Sequence, residues 1–270
     1  LIPIFFEGNL ILESKVLELL MPFLSFCLIS SAVYILNDIL DLENDRNHSI
    51  KKLRPLASGK ISIKSALFLL SLLIVITISI LSFGLISINL SATILIYFII
   101  NVLYSFKLKN IPVLEMFMVS SGFVLRLIGG GLNFNIILSP WIIICTASLS
   151  LLLVVGKRCS DLFEVKDKSS KRIVFKYYSA EYLKSLTIII SSVTLLVYLN
   201  FCLSNYAQTK YSSEYILITA IPVFYGIFRY LNILFLSGKG SSPDELLFDR
   251  EIFISVLTFI LSFLLIIYFN

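Results

Sequence analysis

The stretch NDILDLENDRNHSIKKLRPLASGK, residues 37–60, sets Asp38, Asp41 and Asp45 three and four positions apart and follows them with Lys51, Lys52 and Arg54. If the preceding helix continues through residue 45, the three aspartates fall at i, i+3 and i+7 on one stripe, with Asn37 one turn before Asp41. Three carboxylates on one face repel each other and are costly at a membrane boundary unless a hard cation satisfies them. Mg²⁺ suits that need, because it takes carboxylate oxygens together with substrate phosphates. Asn37 adds a neutral oxygen ligand or an amide donor. Lys51, Lys52 and Arg54 suit phosphate oxygens, arginine through its bidentate fork and lysine as a point charge. The expected chemistry is metal-assisted handling of a phosphorylated molecule, with Asp38, Asp41 and Asp45 as metal ligands. Glu43, Arg46 and His48 point off the stripe or into the loop and are expected only to finish the helix end.

A second polar concentration runs from Gly156 to Lys184 and opens GKRCSDL. Lys157 and Arg158 are expected where a span emerges, with Asp161 one turn on. They either complete a phosphate site or belong to a cationic loop drawn to lipid headgroups, which is the expectation for Lys166, Lys168, Lys171 and Arg172. Inside apolar runs, Glu115 and Arg126 stand eleven residues apart, three turns on one face, with Gly122 between them. An ionisable side chain facing lipid is expensive, so both are candidates for function, with bracing of neighbouring helices as the alternative. YSFKLKNIP places Tyr104, Lys107 and Lys109 at a helix end, where phosphate contact and interfacial anchoring both fit. Gly129, Gly130 and Gly131 suit close helix packing or a helix end. In GKGSSPDE, Ser242, Pro243 and Glu245 suit a helix start better than a phosphate loop.

The elements that must position these residues are membrane spans. The chain has 270 residues, of which 58% are hydrophobic and 14% charged, and its mean hydropathy is +0.95. No soluble domain of that size hides so much apolar surface. Windows long enough to cross about 30 Å of hydrocarbon as helix lie near residues 16–37, 65–84, 87–104, 112–132, 136–155, 183–205, 214–236 and 251–269. The opening LIPIFFEGNLI is too short to cross alone and lacks an initiator Met or a cleavable signal, so it is expected to be the tail of a ninth helix that starts before residue 1.

Every second loop is basic. Arg46 to Lys64 follow the first complete span, Lys107 and Lys109 the third, Lys157 to Lys184 the fifth, and Lys239 and Arg250 the seventh, while the intervening loops hold little beyond Lys15 and Lys210. Loops of this kind stay cytoplasmic, so both polar concentrations are expected on the cytoplasmic side. The net charge of +5 is explained by orientation and calls for no nucleic-acid partner. Cys27, Cys145, Cys159 and Cys202 show no paired spacing, and three of them lie inside spans, which argues against disulfides and zinc. With His48 the single histidine and no G-x-S-x-G, H-E-x-x-H or P-loop pattern, triad hydrolases, zincins and P-loop ATPases have nothing to build on. The expected architecture is one all-α, polytopic integral membrane domain over residues 1–270.

NDILDLENDRNHSIKKLRPLASG resembles the N-D-x-x-D-x-x-x-D region of the UbiA superfamily of intramembrane prenyltransferases, whose nine-helix fold surrounds a cavity open to lipid. YSFKLKNIPVLEMFMVSSGFVLRLIGGG, LSPWIIICTASLSLLLVVGKRCSDL and GSSPDELLFDREIF resemble the successive signatures of its decaprenyl-phosphate phosphoribosyltransferase branch. The resemblance implies a plasma-membrane enzyme that makes arabinan precursors from phosphoribosyl pyrophosphate and a polyprenyl phosphate. It implies that Asp38, Asp41 and Asp45 bind Mg²⁺ and the donor diphosphate, that Lys51 and Arg54 hold phosphates, and that Lys157 and Arg158 complete the site. Two features depart from the wider pattern. Aromatic prenyltransferases of the superfamily carry a second D-x-x-x-D motif, whereas Asp161 is followed four positions later by Val165, with Glu164 and Asp167 nearby. Relatives often have Asp where this chain has Glu115.

The reaction implied is attack of a polyprenyl phosphate oxygen on the anomeric carbon of phosphoribosyl pyrophosphate, with pyrophosphate leaving. One alternative is an aromatic prenyltransferase, in which the same aspartates grip a polyprenyl diphosphate and a hydroxybenzoate or dihydroxynaphthoate ring is the acceptor. Another is a non-catalytic transporter or lipid-binding protein, which the clustering of charge at one membrane face disfavours.

Overall fold

The computed structural model describes residues 3, 6, 16–48, 51–84, 86–164, 173–211, 214–237, 246 and 248–269. Among them every regular element is helical, and eight helices are long and apolar enough to cross a membrane. The protein is an all-α polytopic membrane protein. The expected spans recur with shifted ends. A helix of about 20 residues covers the hydrocarbon thickness at 1.5 Å per residue, so each apolar run closes its backbone hydrogen bonds within itself, as lipid demands. Hydroxyls inside the spans follow the same rule. Thr77, Thr93, Thr187 and Thr194 each donate to the carbonyl four residues earlier, at 2.7–2.8 Å.

The helices fall into two compact units. The first comprises residues 1–138 with 167–174 and contains α1 (Val16–Leu40), α2 (Leu42–Arg46), α3 (Ile63–Ser82), α4 (Ile88–Phe106) and α5 (Leu114–Asn133). α1 packs against α3 and α4, and α4 against α5. Ile29 and Val33 of α1 meet Leu90, Ile94 and Tyr97 of α4 in its core, with the Phe26 ring edge-on to Tyr97 at 5.8 Å. Ser62 and Ser87 start α3 and α4 by accepting the amides of Ser65 and Leu90, caps that contribute about 1 kcal/mol each. Gly129 does what its place in the glycine run suggests. A Cβ there would stand 3.0 Å from Leu90 and 3.1 Å from Phe26, so its absence lets α5 lie against that core.

The second unit comprises residues 139–166 with 175–270. It contains α6 (Pro140–Glu164), α7 (Ala180–Leu203), α8 (Asn205–Tyr211), α9 (Ala220–Asn232) and α10 (Arg250–Phe269). α6 packs on α7 and α9 on α10. The span expected at 214–236 is composite, a 3₁₀ segment (Glu214–Thr219), then α9, then a π turn (Ile233–Ser237). One expectation is corrected here. The span drawn at 136–155 with a loop from Gly156 is a single helix that starts at Pro140 and runs through Glu164. Lys157 and Arg158 are good helix formers, and Arg158 finds its partner one turn on, so polarity does not end the helix. The four cysteines are free. Lys166, Lys168, Lys171 and Arg172, the start suggested around Ser242, and all of the opening segment except Pro3 and Phe6 lie outside the described residues.

Candidate active site

The first unit assembles the acidic stripe and its cations. α1 ends at Leu40, and Asp41, at φ −94° and ψ 5°, separates it from the short α2. The expectation of one unbroken helix through residue 45 is thus corrected, yet its register survives. The Asp41 amide donates to the Asn37 carbonyl at 2.9 Å and the Asp45 amide to the Asp41 carbonyl at 2.8 Å, so the helical i to i−4 spacing passes through the break. The three aspartates keep a common side. Asn37 is half-buried in the last turn of α1.

The chain then turns back on itself. The Lys51 amide donates to His48 Nδ1 at 3.4 Å, the Arg54 amide to the Lys51 carbonyl at 3.0 Å and the Ser58 amide to the Arg54 carbonyl at 2.9 Å, while buried Leu56 anchors the loop. His48, off the stripe and expected to finish the helix end, accepts the Lys51 amide. This fold-back delivers Arg54. Its Nη1 lies 2.8 Å from Asp38 Oδ1 and 2.8 Å from Asp45 Oδ2, so one nitrogen bridges the two outer carboxylates. Asp45 is almost fully buried, with 6% of its side chain exposed, whereas Asp38 keeps 34%.

The middle aspartate has a different partner. Lys109, in the 3₁₀ turn Leu108–Asn110 between α4 and α5, places Nζ 2.6 Å from Asp41 Oδ1 across 68 positions of sequence. Both side chains are mostly buried. Lys109, for which phosphate contact and interfacial anchoring are both open, is brought by the structure to the acidic stripe. Tyr104 is half-buried in the last turn of α4, and Lys107 is exposed. Beyond Lys109 the backbone takes a strained path. Val113 sits at φ 66°, ψ −49° immediately before α5, a conformation that a β-branched residue rarely adopts. Glu115, in the first turn of α5, is fully buried.

Each aspartate is thus engaged by a cation of the chain. Among the described residues no three His, Cys, Asp or Glu side chains converge closely enough to hold a metal by themselves. Arg54 sits where the outer carboxylates meet. The donor set nevertheless fits a hard divalent ion. It is all carboxylate oxygen, and each carboxylate has an oxygen that makes none of these contacts.

Arg126 is held apart from this end, deeper in the same unit. Its Nη2 donates to Ser30 Oγ at 3.0 Å and to Tyr97 Oη at 2.7 Å. Neither partner stood out in the sequence, because hydroxyls scattered through apolar runs carry no distinguishing signal.

In the second unit, Arg158 is buried and donates to Asp161 Oδ2 at 3.3 Å, three residues along the same helix. Lys157 is exposed. Gly156 answers to a close approach, since the Tyr230 hydroxyl stands where a Cβ would be. A clasp not anticipated from the sequence joins α9 to the start of α10. Arg229 grips Asp249 with Nε at 3.1 Å and Nη2 at 2.8 Å, and the Tyr225 hydroxyl donates to Glu251.

Residues 11–257 match the UbiA prenyltransferase family. The chain belongs to the UbiA prenyltransferase family. Within it, the chain is 32% identical over 92% of its length to a Mycolicibacterium smegmatis protein named decaprenyl-phosphate phosphoribosyltransferase, covering 80% of that protein. It is 28% identical to a Corynebacterium glutamicum protein of the same name, over 95% of this chain and 77% of that one. Its fold is similar to that of an Archaeoglobus fulgidus UbiA homologue bound to GPP and Mg²⁺, with a TM-score of 0.74 at 18% identity over 98% of this chain and 93% of that one. This UbiA family member is a transferase enzyme, and the reading as a non-catalytic transporter or lipid-binding protein gives way.

Proposed function

We propose that this enzyme transfers 5-phosphoribose from phosphoribosyl pyrophosphate to a polyprenyl phosphate and releases pyrophosphate. The observation that carries the reading is the interleaving of three carboxylates with Arg54 and Lys109, an arrangement suited to a metal-chelated diphosphate. The relatives named decaprenyl-phosphate phosphoribosyltransferase supply the substrate class. The lack of a carboxylate four residues after Asp161 counts against the aromatic alternative.

In this reading Asp38, Asp41 and Asp45 hold Mg²⁺, while Asn37, Lys51, Arg54 and Lys109 bind donor phosphates, with Tyr104 beside them. Bound Mg²⁺ would supply neutralisation of the charge that builds on the leaving diphosphate. An oxygen of the acceptor phosphate forms a bond to the anomeric carbon as the bond from that carbon to the diphosphate oxygen breaks, and the electron pair leaves with pyrophosphate. The acceptor oxygen is already an anion, so no general base is needed. That suits a chain whose single histidine is tied to the Lys51 amide. Arg54 and Lys109 are parked on the carboxylates and turn to the phosphates when donor and metal arrive, so positioning and electrostatics carry the rate. The basic alternate loops support a cytoplasmic face for this end, where a water-soluble donor meets a lipid acceptor.

The test is turnover by detergent-solubilised protein with Mg²⁺ and two substrate pairs. Phosphoribosylated lipid from phosphoribosyl pyrophosphate and polyprenyl phosphate is the expected product, and it disappears on chelation of divalent ions. Product only from a polyprenyl diphosphate with hydroxybenzoate or dihydroxynaphthoate would overturn the reading in favour of aromatic prenylation.

A further inference from the structure

Arg126 differs from the other arginines whose partners are described above. Arg54 holds two carboxylates, Arg158 holds Asp161 and Arg229 holds Asp249. Arg126 lies well inside the Leu114–Asn133 span, and among the described residues its hydrogen-bond partners are the hydroxyls of Ser30 and Tyr97. Its guanidinium stacks 4.8 Å from the centre of the Tyr97 ring and 5.6 Å from that of Phe123, contacts that orient a cation without neutralising it.

Ser30 Oγ also donates to Tyr97 Oη, at 3.2 Å. The Tyr97 oxygen therefore accepts from both Arg126 and Ser30, which fills its lone pairs and leaves its own proton to be donated elsewhere. On the guanidinium, Nη2 supplies both contacts, so Nη1 and Nε keep their protons for another acceptor. The cluster thus offers the guanidinium and phenol protons together with a full positive charge, in a region where an uncompensated ion is costly. A helix brace would need no charge; a neutral amide could bridge the same two hydroxyls. The charge is what bracing leaves without a role.

Its place along the helices suggests which. Ser30 stands seven residues before Asn37 on α1, and Tyr97 seven before Tyr104 on α4. Two turns, roughly 10 Å at 1.5 Å per residue, thus separate the cluster from the aspartate end on the same faces of both helices. One extended substrate, or two meeting end to end, can touch both.

We propose that Arg126 and the Tyr97 hydroxyl, with Ser30 holding both in place, form an anion subsite inside the span that binds a phosphate monoester. Two such groups take part in the reaction proposed above, the head of the polyprenyl phosphate and the 5-phosphate of the donor. Naming the ligand rests on that reading, whereas the anion site does not.

The test is equilibrium binding of farnesyl phosphate, farnesol and phosphoribosyl pyrophosphate, the last with Mg²⁺, to the full chain in detergent. Arg126→Gln is expected to weaken one of the two phosphate ligands about 10-fold or more, the usual loss for a charged hydrogen bond, with farnesol unchanged. Tyr97→Phe keeps the ring and is expected to weaken the same ligand about 3- to 5-fold; it carries the test by itself if Arg126→Gln does not fold. Loss of farnesyl phosphate assigns the lipid head, and loss of phosphoribosyl pyrophosphate assigns the 5-phosphate. Binding of both phosphate ligands within about 2-fold of wild type in these variants, a parallel loss of farnesol, or no binding of either phosphate by wild type would overturn the subsite. Arg126-dependent binding in a protein that transfers no phosphoribose would refute the reaction and leave the subsite standing.

Discussion

Two arginine–aspartate contacts near helix ends show how differently the same pair of side chains can be used. At Arg229 the guanidinium fork meets one carboxylate squarely, two nitrogens on two oxygens, and Asp249 Oδ1 also accepts the Ile252 amide at the start of α10. Every strong acceptor there is spoken for. At Arg54 one nitrogen serves two carboxylates, one oxygen from each, and further carboxylate oxygens and guanidinium protons make no part of that contact. The first geometry is a clasp, and bidentate pairing of this kind holds one arrangement. The second can be rebuilt around a new ion, because it satisfies charge without exhausting the donors and acceptors.

The contrast is most strongly tested at the acidic stripe. Asp41→Asn or Asp45→Asn is expected to lower turnover by on the order of 10³-fold or more while the protein still elutes as a folded species in detergent; full activity in either variant would remove the metal assignment. Arg54 comes next. Arg54→Ala is expected to cost about 10²-fold in turnover and Arg54→Lys less, since a lysine restores charge but not the fork; equal rates for the two would mean that only charge matters there. At the clasp the ranking reverses, and Arg229→Ala is expected to lower Tm by at most about a few degrees with kcat unchanged.

The clasp also has a pH signature. The hydrogen bond from Arg229 holds the Asp249 carboxyl below its ordinary value. A carboxyl lowered on folding adds stability that is full above its unfolded pKa and is lost as pH falls through the folded one. The Tm gap between wild type and Asp249→Asn is therefore expected to stay constant from neutral pH down to about 4 and to close below it. A gap that widened in acid would reverse the assignment.

The spans were legible because lipid imposes a length and a polarity that the chain must spell out residue by residue. The aspartate stripe was legible for a similar reason, since its spacing of three and four is the helix's own. What the sequence concealed lies in long-range or neutral partners. Nothing local links Lys109 to Asp41, and the partner is chosen by how α5 leaves α4. Ser30 and Tyr97 resemble any hydroxyl in an apolar run until Arg126 reaches them. The end of α6 is hidden in the sequence because hydropathy records where apolar residues stop, whereas a helix stops only when its hydrogen bonds lose partners, and the Arg158–Asp161 pair lets it run on to Glu164.

Val113, at the centre of a tight turn in which the Leu114 amide donates to the Pro112 carbonyl, gives the α4–α5 connection a mechanical character. A glycine would adopt φ 66°, ψ −49° at less cost but would also sample many other shapes, and the bend would behave as a loose hinge. Valine has few alternatives once folding has forced it there, and it stores about 1–3 kcal/mol in doing so. The turn then behaves as a stiff bracket, carrying Lys109 on one arm and Glu115 on the other. The buried Glu115 and the Asp41-bound Lys109 thus take their positions from one tight turn.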